Sequence, residues 1–166
     1  MNNLTNDLQM EIIPYESKYN QAFVDLNFAW LEKYFEVEPY DKKQLQLCNE
    51  MIIKPGGSIY LGIINGIPIG SYALVKVNHK TCELSKMTIK EPYQGNGLGK
   101  QLVEHGIETA KKMNFEVMVL YTHCKLQNAI HIYRKYGFKD IEVETNCPYL
   151  RCNTKMELKL VQSEPK

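Results

Sequence analysis

The sequence predicts an α/β chain of the α+β kind: a mixed, mostly antiparallel sheet of about seven strands with about four helices. Three observations predict it. β-rich runs recur between residues 58 and 89, separated by tight-turn signals. Apolar residues return at helical spacing after a glycine-rich turn, at Leu98, Leu102, Val103, Ile107 and Ala110. The continuous apolar run Val117–Thr122 follows that helix and completes a strand–helix–strand crossover, which should be parallel and right-handed. At 166 residues the chain is long enough for a sizeable core, and residues 1–166 are expected to form a single domain.

The elements follow in order. Gln9–Pro14 reads as an opening strand. Ser17 is placed to cap a helix over Lys18–Phe35, which Pro39 ends. Asp41, with Gln44 three residues on, suggests a second helix start of the capping-box kind. Gly56-Gly57 marks a turn before the strand Ser58–Ile64. Asn65-Gly66 tolerates positive φ at both positions and so predicts a hairpin returning through Pro68–Val77. Asn78–Lys80 turns the chain into the strand Thr81–Ile89. After Val117–Thr122 comes a short helix, Gln127–Tyr136, stopped by Gly137 at C′. Ile141–Thr145 and Lys155–Leu160 are expected to close the sheet as an antiparallel pair. The ends, Met1–Asp7 and Gln162–Lys166, read as frayed.

Composition excludes several classes. The apolar fraction of 44% and charged fraction of 23% are those of an ordinary soluble globular protein. A net charge of +1 gives no bulk attraction to nucleic acid and no polybasic membrane contact. No apolar run approaches the roughly 18 residues that a membrane span needs. The first residues lack the basic and apolar regions of a signal peptide, so a cytoplasmic location is expected. Five cysteines (48, 82, 124, 147 and 152) form no C-x-x-C pair and no zinc-like spacing with histidine. Reduced structural thiols and no metal are expected.

The segment Gln94-Gly95-Asn96-Gly97-Leu98-Gly99 lies between a strand and a helix. Glycines there let backbone N–H groups approach a ligand without an intervening Cβ. The first N–H groups of the helix lack internal partners, and the helix dipole is positive at that end. The segment is therefore an anion site suited to phosphate, and Lys100 adds charge to it. A P-loop is excluded because Gln101 follows Lys100 and the upstream glycine is missing. A dinucleotide fingerprint is excluded because the glycines run G-x-G-x-G and arrive after about 90 residues rather than in the first βα unit.

The same segment resembles the Q/R-x-x-G-x-G/A motif of the GNAT acyltransferase superfamily. The flanks Leu84–Ile89 and Glu91-Pro92-Tyr93 agree with it. Asn128-Ala129-Ile130-His131-Ile132-Tyr133-Arg134-Lys135-Tyr136-Gly137-Phe138 is similar to that family's second cofactor motif, although the Ala falls early. The resemblance covers about residues 58–160; residues 9–57 agree only in element order.

The resemblance implies a GNAT fold whose sheet splays at a site for acetyl-coenzyme A, used as cosubstrate. Met87, Thr88 and Ile89 would hold the pantetheine arm as an added strand would. Gln94, Gly95, Asn96, Gly97, Leu98, Gly99 and Lys100 would hold the pyrophosphate, and Asn128 would bond the cofactor arm. Tyr133 matches the tyrosine near the thioester sulfur and is the expected acid for the departing thiolate, as well as a cofactor contact. Glu83, the sole acidic residue of Thr81–Ile89, is the expected base. His79, His123 and His131 are weaker candidates, and a covalent relay through Cys124 is disfavoured.

In this family the first helices and the last hairpin loop line the acceptor cleft. Tyr34, Glu36, Glu38 and Tyr149 are accordingly expected to bind substrate, the carboxylates and aromatic rings being suited to a cationic amine. The acceptor is expected to be a small-molecule or protein amine, with no nucleic acid and no membrane partner, and a homodimer is compatible with the resemblance. The alternative reading is a non-catalytic acetyl-CoA sensor. Glu83 and Tyr133 together argue against it, because binding alone needs neither.

Overall fold

The computed structural model describes residues 8–161; the ends read as frayed, Met1–Asp7 and Gln162–Lys166, lie outside the described residues. Strands β1 (Glu11–Pro14), β2 (Ser58–Ile64), β3 (Ile67–Lys76), β4 (Thr81–Ile89), β5 (Val117–Thr122), β6 (Lys139–Ile141) and β7 (Thr154–Lys159) form one sheet. Its order is β1-β2-β3-β4-β5-β7-β6. Every pairing is antiparallel except β4 with β5. Helices α1 (Asn20–Tyr34) and α2 (Pro39–Gln46) precede β2; α3 (Leu98–Lys112) and α4 (Gln127–Lys135) flank β5.

The sheet is covered on both faces, which explains why the middle of β3 is buried without alternation from Ile69 to Leu74. On one face Tyr72, Leu74 and Leu84 pack with Leu102, Val103 and Ile107 of α3. On the other, Leu61 and Ala73 pack with Phe23 of α1, Leu45 of α2 and Ile52. Ile52 belongs to a single π-helical turn, Asn49–Ile53. The β2–β3 hairpin turns on Asn65 and Gly66, both at positive φ as the dipeptide requires. Among the described residues no helix is long and apolar enough to cross a membrane.

Four local expectations are corrected. Ser17 caps nothing: the chain enters through a 3-10 turn, Ser17–Tyr19, whose N-cap is Glu16, and α1 starts only at Asn20. Pro39 does not end α1, which stops at Tyr34; it opens α2 as the first helical residue, where its missing N–H costs nothing. Asp41 is not the cap of α2 but the distal member of its capping box, with Glu38 as N-cap. The penultimate strand is Lys139–Ile141 rather than Ile141–Thr145. Phe138 buries directly after Gly137, so pairing with β7 begins at once. Glu144 then turns to accept hydrogen bonds from Tyr121 and Lys155.

Two features of β4 position the site. Its parallel pairing with β5 covers only Thr81–Glu83 against Val117–Val119. Beyond that point both strands continue, to Ile89 and Thr122, without pairing to each other. The sheet is therefore splayed there, leaving backbone polar groups of β4 unpaired on that edge. The second feature is a bulge. Ser71 opposes Thr88 and Ala73 opposes Ser85, so Tyr72 faces both Lys86 and Met87. Lys86 takes a left-handed φ of 54°, strained for a lysine. The Ser71 hydroxyl holds it by donating to the Lys86 carbonyl (2.8 Å), and Asn27 of α1 donates to that hydroxyl in turn (3.2 Å).

Candidate active site

A cavity of about 690 Å³ opens where β4 and β5 part. Its length runs from the glycine-rich turn, past the free edge of β4 and the start of α4, to the loop that precedes β7. Of the residues expected from sequence, it is lined by Tyr34, Glu83, Met87, Thr88, Ile89, Gln94, Gly95, Gly97, Leu98, Gly99, Lys100, Asn128, Tyr133 and Tyr149. Three others stand apart: Asn96, Glu36 and Glu38 do not line it.

At one end the turn has the geometry of an anion cradle. Gly95 and Gly97 sit at φ 82° and 75°, and Gly97 is the N-cap of α3. A Cβ at Gly95, Gly97 or Gly99 would meet nothing within 4 Å, so the space above the backbone is open. The first bond back into the turn is from Gln101 N–H to Gly97 C=O (3.3 Å), which leaves the N–H groups of Leu98, Gly99 and Lys100 without helical partners. Gln94 and Asn96 are spent on the turn itself. Gln94 donates to the Ile89 carbonyl (2.9 Å) and Asn96 to the Tyr93 carbonyl (3.0 Å). Their side chains therefore shape the cradle, and the Gln94 N–H is also spent on the turn, donating to the Glu91 carbonyl (3.1 Å).

In the middle, Tyr133 of α4 lines the cavity with its ring edge-on to Phe138. Burial pushes its phenol up to about 12. It therefore stays protonated, and a donor, throughout the physiological range.

At the far end Glu83 is only 8% exposed. Burial raises its carboxyl above the usual range, and this outweighs the Tyr149 hydrogen bond and the Lys86 charge, which pull it down. Tyr149 donates to Glu83 Oε2 (3.0 Å). Beside them lies a charge cluster that spacing along the chain did not reveal. Arg151 grips Asp41 through two bonds (2.6 and 2.8 Å) and Glu38 through a third (2.9 Å). Lys86 Nζ approaches Asp41 Oδ1 (3.5 Å). Burial pushes the Asp41 carboxyl up, but Arg151 and Lys86 outweigh it and hold the group below the ordinary carboxylate range. Burial also lowers the Lys86 ammonium, against the pull of Asp41 and Glu83.

Glu36 and Glu38, expected to bind the acceptor, lie off the cavity wall. Glu36 is exposed, and Glu38 is consumed by Arg151 and by the Leu150 amide (2.9 Å). The cavity wall carries instead Trp30, Phe35, Lys86, His123, Lys125 and Arg151; of these the sequence names only Arg151, with Tyr149, as a possible acceptor contact. The Ser85 hydroxyl is buried beside Glu83 and has no hydrogen-bond partner among the described residues. Cys124 is exposed and outside the lining; His123 Nδ1 accepts from the Lys125 amide (3.0 Å) and also lies 3.9 Å from the Cys124 thiol. Among the described residues no three His, Cys, Asp or Glu side chains gather as metal ligands.

Comparison with known proteins bears on the family and the fold. The model of the acetyltransferase (GNAT) family matches residues 20–138. An uncharacterized N-acetyltransferase of Dictyostelium discoideum is 37% identical over 81 residues, 49% of this chain and 38% of that protein. The chain matches less than half the length of the first curated relatives. Among solved structures, a GNAT acetyltransferase of Staphylococcus aureus Mu50 superposes with a TM-score of 0.83 at 22% identity, covering 92% of this chain and all of that one. An acetyltransferase of Salmonella typhimurium, solved with its cofactor acetyl-CoA, superposes with a TM-score of 0.75 at 20% identity, over 95% and 98% of the two chains.

Proposed function

We propose, since the chain belongs to the GNAT family of acetyltransferases, that it is an acetyl-CoA-dependent N-acetyltransferase acting on an amine by direct attack. The observation that carries this reading is the single cavity that joins the open glycine cradle, the Tyr133 phenol and the buried Glu83 carboxylate.

The cradle's N–H groups at Gly95, Gly97, Leu98, Gly99 and Lys100 bind the pyrophosphate, and the unpaired edge at Met87, Thr88 and Ile89 takes the pantetheine arm, with Asn128 as a further contact. Both grips are backbone-based and rigid, so the thioester is held in place before the amine arrives. Glu83 takes a proton from the incoming ammonium, directly or through water. Its raised proton affinity brings it nearer to that of an amine than an exposed carboxylate would be. The free amine attacks the thioester carbonyl, and the C–S bond breaks. Tyr133 donates to the leaving sulfur, and the proton shed by the newly acylated nitrogen returns to the phenolate through water. A phenol held near 12 gives its proton reluctantly, but burial raises the proton affinity of a thiolate as well. The Salmonella structure's bound acetyl-CoA supports the choice of donor.

The test is thiol release from acetyl-CoA in the presence of a panel of amines. Acceptor-dependent release supports the reading. Tight acetyl-CoA binding with no release for any amine would mark the chain as a sensor.

A further inference from the structure

We infer that the acceptor is an amine that also carries a carboxylate, the amino-acid class, and that Arg151 and Lys125 receive that carboxylate; the inference rests on the transferase reading above.

The charge that faces the acceptor end is one-sided. Apart from Glu83, every ionised side chain lining that part of the cavity is cationic: Lys86, Lys125 and Arg151. Their counter-charges stand behind the wall. Asp41 has a wholly buried side chain, and neither it nor Glu38 lines the cavity. A polyamine entering here would meet cations at short range and carboxylates only beyond them. An anionic group would meet the reverse.

The cations also have donors to spare. A guanidinium carries five N–H donors. Three of Arg151's are engaged by Glu38 and Asp41, which fixes the side chain without exhausting it. Lys125 Nζ donates to the Tyr34 carbonyl and keeps two further donors. Both cations converge on one ring, with Arg151 Cζ 5.9 Å and Lys125 Nζ 4.0 Å from the Phe35 centroid. His123 packs on that ring as well, at 5.7 Å between centroids. A carboxylate beside Phe35 would therefore lie between two preoriented donors, which is the arrangement in which charge-assisted hydrogen bonds are strongest.

The same cluster links to the proposed base. Arg151 and Lys86 both stand over the Tyr149 ring (5.0 and 5.4 Å), and Tyr149 bonds Glu83. An acceptor held by its carboxylate at Arg151 thus presents a neighbouring amine toward Glu83. A second anion-binding site at this end would serve no purpose for a purely cationic substrate.

The experiment compares matched acceptors on the full chain: an aromatic amino acid, its carboxamide and its decarboxylated amine, each assayed by thiol release and by product mass. The expected result is a preference for the acid of about tenfold or more in kcat/KM over both analogues. Lys125→Gln, at an exposed position, should reduce that preference several-fold with the KM for acetyl-CoA unchanged, and Arg151→Gln should remove it. Should Arg151→Gln not fold, the wild-type ratio and Lys125→Gln decide alone. Equal or better use of the carboxamide or the decarboxylated amine overturns the inference and leaves the transferase reading standing. No thiol release with any of the three and with any other amine, while acetyl-CoA still binds, overturns both.

Discussion

The Tyr149 phenol donates a 3.0 Å hydrogen bond to the Glu83 carboxylate, joining the last long loop to the central strand β4 across 66 residues of sequence. This bond favours the ionised carboxylate and opposes the burial that raises it. Tyr149→Phe removes the donor and leaves the burial. The acidic limb of kcat/KM should therefore move to higher pH in this variant, with the maximal rate reached later. A pH–rate series on both proteins checks the direction.

Tyr133→Phe should lower kcat by about a hundredfold, within the range of a positioned acid. The KM for acetyl-CoA should change little, because the pyrophosphate and pantetheine grips are backbone-based. Steady-state kinetics with saturating amine separate the two parameters.

Gly97→Ala should weaken acetyl-CoA on the order of tenfold, since a left-handed φ of 75° costs an L-residue about 1–2 kcal/mol. Nothing crowds the new methyl, so the cost is one of backbone conformation and of the approach to the anion. Calorimetric titration of coenzyme A reads this directly.

Asp41→Asn leaves the half-buried Arg151 and the Lys86 ammonium without their shared anion. Removing one partner from such a cluster costs about 3–5 kcal/mol, so Tm should fall on the order of 10 °C. The pH dependence has a definite sign. Asp41 is held below its ordinary range, so its stabilisation is present above the unfolded pKa and lost as pH falls through the lower folded one. Glu83 is held above its range, so its share is present below the unfolded pKa and lost as pH rises through the higher folded one. Denaturant midpoints across pH should show the acid-side loss diminished in Asp41→Asn and the neutral-side loss diminished in Glu83→Gln.

These predictions mark where the sequence was readable. The Gln94–Gly99 cradle, the Asn128–Phe138 helix and the strands around them are local patterns, and local spacing carries them. That Glu83 and Tyr133 line the cavity was legible because each stands on such a pattern. Lys86 was not: strict alternation puts it on the face opposite Glu83, and only the bulge against Tyr72 brings it round. Arg151 and Asp41 lie 110 residues apart, and their bidentate contact has no signature in either neighbourhood. That contact also explains why an acidic run, Glu36–Asp41, misled as to the charge of the cleft. Two of its carboxylates are neutralised by a loop whose path periodicity does not describe.

The most direct test of the central claim is the pH dependence of acetyl-CoA-driven thiol release in wild type and Glu83→Gln, with the best amine of the panel. The predicted wild-type kcat/KM rises through an ionisation above the ordinary carboxylate range. Glu83→Gln should lose that limb and recover rate only where the amine itself deprotonates. Full rate in Glu83→Gln with an unchanged profile would contradict the account.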